Sequence, residues 1–190
     1  MNKSRYFDEL YPFQDQVLKL VDSAGTAFYL TGGTALSRGY LHHRLSDDLD
    51  FFVNDEERFV RLMLTNNDVP LRIEMVNDVP AHVGPIVQHD VLGRLDSAEN
   101  ILANKVTALI DRNEPKDLAD IWGLCCKMLL PLKPAIDDAK SKAAGVFPAD
   151  LARVLCSATK EHWQVVQWID APPVDQFLRD LHGLGERLIL

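Results

Sequence analysis

The stretch GGTALSRGYLHHRLSDDLDFF, residues 32–52, decides the fold. It opens on two glycines, continues for about ten residues with a helical scatter of apolar positions, breaks at Ser46 and ends in an alternating run. Side chains two apart on a strand point the same way, so Asp48 and Asp50 project from one face while Leu49 and Phe51 turn to the core. Two carboxylates side by side repel each other unless a cation lies between them. Magnesium, which takes oxygen ligands and completes its shell with water and substrate phosphates, suits such a pair. The glycines add weight. They let backbone approach a phosphate closely, and the amides opening the helix at Thr34 favour an anion. Alone, an Asp-x-Asp step is commonly a solvated strand edge and a Gly-Gly pair a plain turn; together, in one strand–turn–helix–strand unit, they form half of a phosphoryl-transfer site.

Working outward, residues 8–23 place Leu10, Phe13, Val17, Leu20 and Val21 at helical spacing, and Ala27 to Leu30 reads as a buried strand before the turn. Thr34 to Arg44 is expected to be helical and Leu49 to Val53 a second strand. Residues 56–64 are expected to form a helix carrying Phe59, Val60, Met63 and Leu64. Leu71 to Val76 alternates and predicts a third strand, with Arg72 and Glu74 on the face opposite Leu71, Ile73 and Met75. A further strand falls within 82–92. Beyond residue 95 the pattern turns helical: 100–111, then 116–130 after the Asn113-Glu114-Pro115 break, then about 134–144, 148–163 and 173–188. The expected fold is α+β, a small mixed sheet flanked by helices (1–95) followed by a helical region (96–190).

Composition narrows the class. The chain has 190 residues, 47% hydrophobic and 25% charged, with a formal charge of −8. Such a balance fits a globular core and argues against bulk attraction to nucleic acid or anionic lipid. Neither a secretory leader nor an apolar run of the ~18 residues a membrane span needs is visible, so the expectation is a cytoplasmic protein with no membrane association. Cys125, Cys126 and Cys156, odd in number and set among Leu, Trp and Met, read as reduced core thiols. His82 and His89 read as loop residues, and Trp163 and Trp168 as helix-packing side chains. Arg38, His42, His43 and Arg44 form a basic cluster, either a substrate-receiving surface or a plain helix face.

Residues 32–52 resemble the first motif of the AbiEii/AbiGii toxin family, a branch of the DNA polymerase β-like nucleotidyltransferases. The resemblance implies that Gly32, Gly33 and Thr34 cradle a nucleoside triphosphate, that Asp48 and Asp50 bind magnesium (or manganese in its place), and that Ser46 lies beside the site. It further implies a third carboxylate from a neighbouring strand, and Glu74 is the matching position; the plain alternative is an exposed Glu paired with Arg72 or a cross-strand Lys. Residues 99–122, ENILANKVTALIDRNEPKDLADIW, are similar to the family's later motif and map it onto Lys105, Arg112, Lys116, Asp117 and Asp120. Lys105 and Arg112 would contact nucleotide phosphates, with Asp117 and Asp120 orienting them; the alternative is a solvated helix surface with a Lys116–Asp120 pair.

What the resemblance implies for function is magnesium-dependent transfer of a nucleoside monophosphate from an NTP to an acceptor, with loss of pyrophosphate. The implied acceptor is RNA, tRNA foremost, and the implied setting a toxin–antitoxin or phage-defence pair with a cognate antitoxin as partner. Three alternatives stand beside this one: transfer to a small molecule or protein, a nucleotide-binding regulator without turnover, and a partner-binding protein that takes no nucleotide.

Overall fold

The computed structural model describes residues 3–54, 60–78 and 82–189. It divides into two compact units, Met1–Ser97 and Ala98–Leu190.

The first unit opens with α1 (Lys3–Arg5), a π-helical turn at Tyr6–Leu10 and α2 (Tyr11–Ser23). Leu10, Gln14, Val17 and Leu18 form its buried face, and Leu20 is 68% exposed on the far side from Leu18, outside the expected stripe. Six strands follow: β1 (Tyr29–Thr31), β2 (Leu49–Val53), β3 (Val60–Asn66), β4 (Val69–Asn77), β5 (Val87–His89) and β6 (Gly93–Leu95). They make one mixed sheet in the order β3-β4-β2-β1-β6-β5. Between β1 and β2 lies a helical segment, α3 (Gly32–Thr34) continuing as a π-helical stretch over Ala35–Leu41. It ends at His42, whose left-handed φ of 50° stops the helix before Arg44.

In this unit one expected element is corrected. Residues 60–64 are strand, not helix; the remainder of that expected helix, 56–59, lies outside the described residues. Val60, Met63 and Leu64 fit helical spacing, but Val60, Leu62 and Leu64 fit a strand equally, and the Asn67-Asp68 turn settles the matter. Both turn residues have positive φ, 48° and 61°, the conformation of a two-residue hairpin whose twist matches its strands. β3 therefore folds back on β4 with Arg61 opposite Glu74 and Leu62 opposite Ile73. The strand expected within 82–92 is only Val87–His89, and β6 follows it unanticipated, pairing with β1 through Leu30 and Leu95. On the sheet's core face, Leu30, Leu49, Phe51, Leu71, Ile73 and Leu95 are buried.

The second unit is helical: α4 (Ala98–Arg112), α5 (Pro115–Trp122) with a π-helical turn over Gly123–Lys127, α6 (Leu132–Lys142), α7 (Pro148–Cys156), α8 (Lys160–Val165) and α9 (Val174–Ile189). Asn113 takes a φ of 48° and Pro115 opens α5, so the expected break is a left-handed stop followed by a proline start. The single helix expected over 148–163 is two, because Thr159 and His162 form a capping box that starts a new helix at Lys160. Leu129, expected in the apolar stripe, is exposed. Trp122, Trp168 and Phe177 pack edge-on or tilted with centroids 5.6–6.3 Å apart and anchor the unit. The cysteines are free thiols; burial pushes Cys125 up to about 12 and Cys126 to about 11, so neither is a ready nucleophile. Among the described residues no helix is long and apolar enough to cross a membrane.

Candidate active site

β1, β2 and β4 set the site by register. β1 pairs antiparallel with β2, placing Thr31 beside Asp50, and β2 pairs parallel with β4, placing Asp50 beside Glu74. Residues directly paired across strands share a face, so Thr31, Asp50 and Glu74 lie in one row. The core alternation enforces it: Leu49, Phe51 and Val53 are buried, leaving Asp50 half-buried on the opposite face. Asp48, one step ahead of β2, is half-buried as well, and Asp47 is exposed.

A guanidinium sits among these acids. Arg72, on β4, donates a hydrogen bond from Nη2 to Asp48 Oδ2, and its Nε lies 3.8 Å from Glu74 Oε1. Glu74 also pairs with Arg61 of β3, Oε1 to Nε 2.9 Å, as their cross-strand register requires. Arg72 is held above the usual guanidinium range. The Asp48 hydrogen bond contributes most, partial burial opposes it, and the charges of Asp48, Glu74 and Asp50 all add to it. Three carboxylates thus act on one cation.

The glycine turn abuts the same cluster. Gly32 has φ +67°, and a Cβ placed there would stand 2.6 Å from Asp50 Oδ2. Both the backbone angle and the carboxylate require glycine. At Gly33 a Cβ would meet Arg44 Nη2 at 2.7 Å and Ser46 Oγ at 3.1 Å. Gly32 is itself the first helical residue. Thr31 before it gives no side-chain cap; its hydroxyl donates instead to Asp96 Oδ2 at 2.5 Å. Thr34 Oγ1 donates to the Asp48 carbonyl and accepts from Ser46 Oγ at 2.9 Å, tying the helix start to the loop before β2. From below, Gln14 Nε2 donates to the Asp47 carbonyl at 3.0 Å, and Tyr6 hydrogen-bonds the Asp47 carboxylate. The loop carrying Asp48 is therefore clamped on both sides. We expect Gly32→Ala to cost about 1–3 kcal/mol for a left-handed non-glycine residue and to displace Asp50; denaturant unfolding measures the first effect.

Of the basic cluster, Arg44 and His43 are buried, which rules out a plain helix surface for them. Arg44 lies against the glycine turn, a position its sequence context of neighbouring histidines did not reveal. Arg38 is occupied by α2, pairing with Asp15 at 2.5 Å and stacking 4.6 Å over the Tyr11 ring. His82 is no bare loop residue either: Nε2 lies 3.0 Å from Asp96 Oδ1.

In the helical unit, Lys105 Nζ reaches Asp117 Oδ1 at 2.9 Å and Asp120 Oδ2 at 2.7 Å, all three side chains being buried. Arg112 grips Asp117 with two hydrogen bonds of 2.8 and 3.0 Å. Burial alone would raise the Asp117 carboxyl, but the Arg112 hydrogen bond and the Lys105 charge overcome it and hold the group below the usual carboxylate range. Lys116 pairs with Glu114 at 2.9 Å rather than with Asp120.

Among the described residues, no three His, Cys, Asp or Glu side chains converge closely enough to hold a metal ion as they stand. The donor set of Asp48, Asp50 and Glu74 nonetheless fits a hard divalent cation: all are carboxylates, they line one face, and they already attract a positive charge.

The sequence profile of the family described as "Nucleotidyl transferase AbiEii toxin, Type IV TA system" matches residues 20–68. That stretch is AbiEii-like. The match spans the end of α2, the glycine turn and the Asp48–Asp50 step, so the resemblance read from residues 32–52 is borne out. No curated protein matches the chain by sequence. Among solved structures, a candidate nucleotidyltransferase from H. pylori is similar with a TM-score of 0.59 at 16% identity, covering 99% of this chain and 96% of that one. JHP933 from Helicobacter pylori gives 0.58 at 18% identity, covering 99% and 93%. At such identities the likeness is one of fold, and it bears out the mixed sheet with flanking helices and a helical C-terminal region.

Proposed function

We infer that the AbiEii-like chain transfers a nucleoside monophosphate from an NTP to an acceptor hydroxyl, releasing pyrophosphate. The observation carrying this reading is the pairing of Asp50 with Glu74, with Asp48 one step ahead of β2, beside the Gly32–Gly33 turn that Asp50 abuts. Bound magnesium would supply charge neutralisation and Lewis acidity at the transferring phosphate. The chain's own residues do the rest. Gly32 and Gly33 present backbone amides to the triphosphate without a side chain in the way. Asp48 and Asp50 hold the cation, and Glu74 holds it with them or accepts the proton of the incoming hydroxyl. Arg44 and Ser46 brace the turn, and Thr34 fixes the Asp48 loop. Because phosphoryl transfer needs little covalent help, positioning and electrostatics carry the rate.

Within the helical unit, Asp117 and Asp120 hold Lys105 and Asp117 holds Arg112, the two cations to which the resemblance gives phosphate binding. Arg112, nearly half exposed, is the better placed of the two to reach a ligand. The family's description supports a toxin paired with an antitoxin, and RNA, tRNA first, is the proposed acceptor. The test is incubation with magnesium, each α-labelled NTP and separate pools of total RNA, protein and small-molecule acceptors. Label entering RNA supports the reading. Label entering only another pool keeps the transferase and changes its acceptor; nucleotide binding with no pyrophosphate released points to a regulator.

A further inference from the structure

Arg72 does more than decorate the acidic face. Continuing the β2–β4 register one step ahead of Leu49 and Ile73 sets Asp48 opposite Arg72, on the same face as Asp50 opposite Glu74. Its guanidinium bonds Asp48, approaches Glu74 to 3.8 Å and lies in the field of Asp50. A divalent cation bound by these carboxylates would need the space that the guanidinium fills and the Asp48 oxygen that it bonds; Arg61, at 2.9 Å from Glu74 Oε1, stays on the far side of that carboxylate. Both cannot be there at once.

We propose that Arg72 is a built-in counter-cation that closes the carboxylate site in the free protein, and that a divalent cation enters only by displacing it. This rests on the reading of the site as nucleotidyltransferase machinery. The physical terms allow the exchange. Carboxylates that share a face repel one another, so a guanidinium bonded to Asp48 and within 3.8 Å of Glu74 stabilises the site. The Arg72 side chain is 43% exposed, and an ion pair that open to water is weak enough for a divalent ion to break. Once released, its long stem swings the guanidinium toward water or toward the phosphates of an incoming nucleotide, which it grips in the same forked geometry as a carboxylate. Metal held alone is therefore disfavoured, and metal arriving with a nucleotide is favoured, because the phosphates offer Arg72 a new partner.

The test is manganese binding in the absence of nucleotide, read by electron paramagnetic resonance of the free ion, for wild type, Arg72→Gln and Arg72→Lys. Lys19→Gln on the exposed side of α2 controls for net charge. Removing one competing charge is expected to tighten manganese binding about tenfold or more in Arg72→Gln and less in Arg72→Lys, with no change in Lys19→Gln. In wild type, adding a non-hydrolysable NTP should tighten manganese binding, and this coupling should shrink in Arg72→Gln. Equal manganese affinity in wild type and Arg72→Gln, with binding abolished by Asp50→Asn in both, overturns the displacement while leaving the site reading intact. Manganese binding in neither protein, with or without nucleotide, overturns the site reading and the displacement with it. Unchanged circular dichroism in the variants assigns either result to the site rather than to unfolding.

Discussion

Asp50→Asn is expected to reduce nucleotide transfer about a thousandfold or more while the protein stays folded. The basis is the loss of several kcal/mol of transition-state charge stabilisation at ~1.4 kcal/mol per tenfold in rate. Asn preserves the shape that meets Gly32, so the glycine turn is undisturbed, and the exchange removes one of three carboxylate charges that act on Arg72. The melting temperature should therefore stay near that of wild type. Asp48→Asn should lose activity similarly and lose its Arg72 ion pair, a partly exposed contact worth about 0–1 kcal/mol. Steady-state transfer rates measured beside thermal melts separate the two effects. A protein that melts early and also fails to transfer would assign these acids to structure instead.

Asp117→Asn should behave in the opposite way, failing first in stability. Asp117 is buried with Lys105 and takes two hydrogen bonds from Arg112, so neutralising it leaves the buried ammonium with Asp120 as its one remaining carboxylate and takes the carboxylate from Arg112. Breaking a buried pair from one side costs about 3–5 kcal/mol, an upper bound here because Asp120 stays in place. The triple change Lys105→Met, Asp117→Leu, Asp120→Leu removes the buried charges together and should recover much of that loss. The pH dependence has a definite sign. The folded Asp117 carboxyl sits below its unfolded value, so its contribution is complete above about pH 4 and is lost as pH falls through the lower, folded value. Urea unfolding from pH 7 to pH 2 should show that acid-side loss in wild type and lack this component in Asp117→Asn. If Asp117→Asn melts like wild type yet transfers poorly, the group serves the nucleotide directly.

The strands that carry the candidate site were readable because their signals are local. Asp48 and Asp50 stand two apart within a run whose apolar partners must go inward, and Arg72 and Glu74 alternate with Leu71 and Ile73 in the same way. What local pattern lacks is the neighbour. That Asp50 lies beside Glu74, and that Arg61 and Arg72 converge on the acids, depends on strand order, which no short window contains. The β3 hairpin was misread because β3 is an edge strand exposed on both faces, so no buried alternation marks it, and its clearest cue was a turn dipeptide. β6 escaped because a three-residue strand takes its identity from pairing with β1. Arg44 escaped for another reason: a buried arginine looks like a surface one until the glycine it packs against is placed beside it. In the helical unit, the one-turn spacing of Asp117 and Asp120 was legible, but not their shared burial with Lys105 from another helix.

The central claim, that these carboxylates and the glycine turn form one metal–nucleotide site, is tested most directly by calorimetric titration of a non-hydrolysable NTP into wild type and Asp48→Asn/Asp50→Asn, with and without magnesium. The account predicts one nucleotide per chain bound in a magnesium-dependent manner by wild type and lost in the double variant. Equal binding by both proteins, or binding indifferent to magnesium, would contradict it.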